Sequence, residues 1–60
     1  MIKLGQSVKI KQPDGFEDGI VKYIHPTNRW FSVEHGTEDY KWRTSFMFDD
    51  IGKTVRIVKG

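Results

Sequence analysis

Residues 19–35, GIVKYIHPTNRWFSVEH, constrain this chain more than any other stretch. β-Branched and aromatic residues recur on both sides of Pro26-Thr27-Asn28, and the stretch contains neither Ala nor Leu. Branched and aromatic side chains are stiff and fit a pleated surface, whereas a helix favours Ala and Leu. The stretch therefore predicts two β-strands joined by a polar hairpin turn. Asn28 suits the left-handed conformation of such a turn.

Strict alternation fails in the first of these strands. It would set Ile20, Lys22 and Ile24 on one face and Val21, Tyr23 and His25 on the other. Lys22 would then lie buried between two Ile residues. A β-bulge near Lys22 or Tyr23 removes the conflict and turns Val21 and Ile24 inward together. The bend it introduces is one that a small barrel requires. In the returning strand, about 29–35, Phe31 and Val33 fall on the core face. Trp30, Ser32 and Glu34 fall on the other, which leaves Trp30 at least partly exposed.

The remaining chain follows the same logic. Val8 and Ile10 alternate with Ser7, Lys9 and Lys11, which predicts a strand over 6–12 with a wet, basic outer face. Pro13-Asp14-Gly15 should turn the chain, and Phe16-Glu17-Asp18-Gly19 should continue as an acidic loop, with the Phe16 ring over one end of the core. After a turn at 36–39, a strand over 40–46 sets Tyr40, Trp42, Thr44 and Phe46 on one face. Lys41, Arg43 and Ser45 take the other. Phe46 belongs to the core, so parity draws Trp42 inward. Residues 48–52 fit one turn of 3-10 helix, with Asp carboxylates near its N-terminal donors. A last strand over 53–58 points Val55 and Ile57 inward.

Size and composition set the limits of this plan. Sixty residues form a single domain, 1–60, with its core within about 5–58. No Cys is present, so no disulfide or Cys-based zinc site supplements burial of the 22 apolar side chains. Six Ile, five Val and four Thr against one Leu point to sheet throughout. No apolar run approaches the roughly 18 residues of a membrane span. The start, MIKLG, lacks the apolar segment of a secretory signal, so a cytoplasmic protein is expected. The net charge is only +2, mildly basic and far from a strongly nucleic-acid-like composition, and this near balance weakens any argument from total charge alone.

Five short strands with a single-turn helix before the last resemble the SH3-like small barrel, including its Tudor and KOW types. The residues that carry the resemblance are Gly19, Val21 and Ile24, then Phe31 and Val33. The run from Phe46 through Asp50 and Ile51 to Val55 and Ile57 completes it. The Ala-Leu-Tyr-Asp-Tyr stretch of proline-binding SH3 domains is missing, so proline-rich ligands are not implied. The Tudor likeness implies a possible aromatic cage from Tyr23, Trp30, Tyr40 and Trp42. The KOW likeness implies RNA or ribosomal and transcription proteins as partners. The chain is also similar in size and composition to small proteins of bacteria and their phages.

Seven residues stand out as candidate partner-binding positions: Tyr23, Arg29, Trp30, Tyr40, Lys41, Trp42 and Arg43. Trp, Tyr and Arg are the side chains that anchor protein interfaces. Rings with Arg and Lys also suit single-stranded nucleic acid, where bases stack and phosphates need cations. A protein partner is the first expectation and nucleic acid the alternative. Oligomerisation by strand-edge pairing is a further one, within a monomer or weak homo-oligomer. The simplest structural role for the same rings is core packing and cover for a sheet edge. Acidic residues gather in predicted loops and basic ones on predicted strands, where Lys also guards edges. His25 and His35 are expected at surface or hairpin positions rather than as metal ligands. No nucleophile elbow, triad spacing or glycine-rich phosphate loop occurs, so no catalysis, cofactor or metal is expected.

Overall fold

Alternation in each strand decides which side chains leave water, and hydrophobic burial then folds one sheet around them. The computed structural model describes residues 2–58. It contains β1 (Ser7–Gln12), β2 (Gly15–Ile24), β3 (Trp30–Gly36), β4 (Lys41–Met47) and β5 (Val55–Ile57). A 3-10 helix, Phe48–Asp50, separates β4 from β5. All ladders are antiparallel and the order is β4-β3-β2-β1-β5. The sheet is open: β4 and β5 are its two edges, and no ladder joins them among the described residues. No helix of the described residues is long and apolar enough to cross a membrane.

The inner face holds the core. Val8, Ile10, Val21, Phe31, Val33 and Val55 are buried, with Ile2 joining them from the N-terminal segment. Ile24, Phe46, Phe48 and Ile51 pack against this group. Phe31 is its centre: Phe48 meets it edge-on at 5.4 Å and Phe46 lies at 5.9 Å. Each fully buried side chain of this size contributes about 1.5–3 kcal/mol.

The bulge in β2 is present. Val21 pairs with Val33 and Tyr23 with Ser32, so Lys22 is the extra residue. Val21 and Ile24 thereby both face inward. The N-terminal segment docks here, with Gly5 N donating to Val21 O and Val21 N donating to Gln6 O. Asn28 in the following turn has φ 57°, the left-handed conformation expected of it. Asp50 caps the 3-10 turn, its Oδ2 accepting from Met47 N at 3.1 Å.

Two expectations are corrected. The acidic loop over 13–19 is a tight turn at Pro13-Asp14, and residues 15–19 are strand paired to β1. Acidic residues are poor strand formers, which is why Glu17 and Asp18 read as loop. Cross-strand partners offset that deficit. Lys9 Nζ lies 2.7 Å from Asp18 Oδ1 directly opposite, and Gln12 Nε2 donates to Glu17 Oε1 at 3.0 Å. Phe16 does not cover the core. It stands beside Lys11 on the outer face, nearly half exposed, with the Arg56 guanidinium 4.9 Å above its ring.

Gly19 lies between Val8 and His35 in the inner-face row, with Val33 alongside. A Cβ there would collide with Val33 Cγ1 and lie 3.3 Å from Glu34 O. Gly19→Ala should therefore lower stability by about 1–3 kcal/mol, as overpacking does. A denaturant midpoint equal to wild type would show that β3 yields without strain.

Candidate interaction surface

The outer face carries an aromatic and thioether row at the hairpin end. Tyr23 and Trp30 pack with ring centroids 5.2 Å apart, and His25 lies 5.3 Å from the same indole. Met47 pairs with Trp30 across the next ladder and is more than half exposed. Trp30 is half-buried among these neighbours, as expected of it. The ring of Tyr23 and the side chain of Met47 are presented outward. The ladder between Ser32 and Ser45, whose hydroxyl oxygens lie 3.3 Å apart, borders the row.

Charged residues, with Phe16 and Ile20 among them, occupy the rest of that face. Five of the ten basic residues, Lys9, Lys11, Lys41, Arg43 and Arg56, share it with two of the eight acidic ones, Asp18 and Glu34. These ladder-paired residues sum to +3, against +2 for the whole chain. Asp18 holds Lys9, and Glu34 Oε2 sits 3.7 Å from Arg43 Nε. Lys41 has no carboxylate partner among the described residues. A cleft of about 450 Å³ opens between Lys9 and Lys41, lined also by Ser7, Ile20 and Glu34.

The seven singled-out residues therefore do not form one site. Tyr23 and Trp30 are in contact, and Lys41 and Arg43 lie on the same face along β4. Arg29 is exposed in the β2–β3 turn, and Tyr40 is exposed in the β3–β4 connection. Trp42 stands on the opposite face, where core parity puts it, yet half exposed because β4 is an edge strand. Its ring meets His35 edge-on at 5.3 Å. The four rings of the cage that the Tudor likeness implies are thus split: Tyr23 and Trp30 on one face, Trp42 on the other, and Tyr40 off the strands.

His35 corrects another expectation. It is buried, on the face shared with Phe31 and Val33, rather than at a surface or hairpin position. Nδ1 lies 3.0 Å from Glu17 Oε1 and Nε2 lies 2.7 Å from Thr44 Oγ1. A carboxylate only accepts, so Nδ1–H donates to Glu17, while the Thr44 hydroxyl can donate to or accept from Nε2. With Gln12 also donating to Glu17, the cluster ties β1, β2, β3 and β4 through one polar chain. Parity with Phe31 and Val33 was the signal for this burial. No group of three or more metal-ligating side chains occurs among the described residues.

Thr44→Val keeps the shape of that side chain and removes the hydroxyl from His35 Nε2. It should cost about 1–3 kcal/mol, the penalty for an unpaired buried polar atom, read as a lower denaturant midpoint. Unchanged stability would mean that Nε2 finds another partner. Comparison of the chain with family models, curated proteins and solved structures gives no match.

Proposed function

We propose that this chain is a non-catalytic, protein-binding module of the SH3-like small-barrel type, working in the cytoplasm. Support for the type comes from the strand order, with β5 beside β1 and a 3-10 turn leading into it. The observation that carries the function is the uncovered Tyr23–Trp30–Met47 row. Tyr and Trp anchor interfaces, and a flexible Met adapts to a partner's contour. The paired Ser32 and Ser45 hydroxyls and the Arg29 guanidinium would supply its polar rim. Trp30 is already engaged by Tyr23 and His25, which suits it better to hold the row in place than to stack on a base.

A second reading rests on the ladder-paired residues of the outer face, which sum to +3 and would attract single-stranded nucleic acid. Its signature is affinity for a mixed-sequence oligonucleotide that falls steeply between 50 and 200 mM salt, on the order of tenfold or more. Lys41→Glu and Arg43→Glu would each weaken it.

The protein-binding reading predicts a different outcome. In the combined Tyr23→Ala/Met47→Ala variant, loss of the exposed Met47 side chain should change stability by no more than about 0.5 kcal/mol, and loss of the Tyr23–Trp30 ring contact should cost about 0.5–1.5 kcal/mol. Capture of a protein partner by the immobilised domain should fall by a factor of about 30 or more, the effect of losing interface anchors worth about 2 kcal/mol. Full capture by a folded double variant would remove the row from the interface.

A further inference from the structure

The free edge of β4 has its own chemistry. Thr37 N donates to Tyr40 O and Phe48 N donates to Arg29 O, at the two ends of the β3–β4 ladder. An antiparallel ladder alternates, so the even-numbered residues of β4 bond to β3 and the odd-numbered ones face away. Lys41, Arg43 and Ser45 thus direct their N–H and C=O groups outward. None of these groups has a partner among the described residues. The Met47 N–H is already used by Asp50.

We propose that this edge takes an extended acidic peptide as a sixth strand; this rests on the protein-binding reading and specifies its partner. The backbone of Lys41, Arg43 and Ser45 supplies the ladder. Lys41 and Arg43, two residues apart on the outer face, meet carboxylates two residues apart on the peptide. Lys41 is uncommitted, and Arg43 is only loosely held at 3.7 Å from Glu34. On the opposite face the half-exposed Trp42 ring meets the apolar residue between those carboxylates.

Charge selects this occupant over a second copy. The sequence of β4, KWRTSFM, has two cations and no carboxylate. Self-pairing would gather four cations on one two-stranded ladder, where neighbouring like charges destabilise. The cations that deter edge-to-edge aggregation are therefore the ones that admit an acidic strand.

The test uses the ¹⁵N-labelled chain and a nine-residue, acetylated and amidated peptide alternating Glu with Val or Thr. Saturating peptide should slow hydrogen exchange at the amides of Lys41, Arg43 and Ser45 at least tenfold. Trp42, Thr44 and Phe46, already bonded to β3, should change less. Ser45→Pro removes a donor that the β3–β4 ladder does not use, so the domain should fold and bind the peptide at least tenfold more weakly. A control peptide with Lys in place of Glu should bind more weakly still.

Four results would overturn the inference: no binding of the Glu peptide at millimolar concentration, binding without protection of the three amides, equal binding of the Lys peptide, or protection without peptide alongside a doubled mass. The last would assign the edge to a second copy. A failed edge with loss of protein capture on Tyr23→Ala/Met47→Ala would leave the aromatic row as the interface. An occupied edge with undiminished capture by that variant would discard the row alone.

Discussion

The extra residue at Lys22 sets side-chain parity for half of the sheet. Period-two alternation is unforgiving, because a one-residue slip sends every following side chain to the opposite face. Val21 and Ile24 are an odd number of positions apart, yet both serve the core. Only the bulge reconciles them. Downstream of it, Tyr23 is delivered to the outer face beside Trp30, and Ile24 is delivered to Phe31 across the ladder. One local irregularity thus fixes the core and the candidate interface together.

The inner face divides into an apolar half and a polar half. Phe31, Phe46 and Phe48 fill the end near the β2–β3 turn. The other end is built on His35, held between Glu17 and Thr44 with Trp42 against its ring. Gly19 lies beside His35 and lets β2 and β3 approach without a side chain in the way. A saturated hydrogen-bond chain covers this polar half at little net cost.

The outer face combines an apolar row with a cationic field, and β4 carries part of each. Met47 belongs to the row, while Lys41 and Arg43 belong to the field. Because β4 is also an edge, its backbone is available where those side chains are. Three kinds of recognition chemistry (apolar contact, charge and ladder hydrogen bonds) therefore border one another along a single strand. This is the physical basis for preferring a protein partner over single-stranded nucleic acid, which could use the charge and the rings but not the ladder hydrogen bonds.

Much of this was legible in residue order. The all-β class, the bulge, the left-handed Asn28, the inward Phe31 and Val33, and the 3-10 turn all follow from local steric preferences and period-two patterning. Those forces act between near neighbours, so sequence alone exposes them. Contacts between distant residues decided the rest. Glu17 and Asp18 entered a strand because Lys9, Gln12 and His35 met them across ladders. His35 was buried because Glu17 and Thr44, 18 and 9 residues away, satisfied its ring. Trp42 kept core parity but stayed half exposed, since β4 has no strand beyond it. The sequence by itself determined which residues could share a face. Tertiary structure alone decided which of those faces were covered, because cover comes from elements remote in the chain.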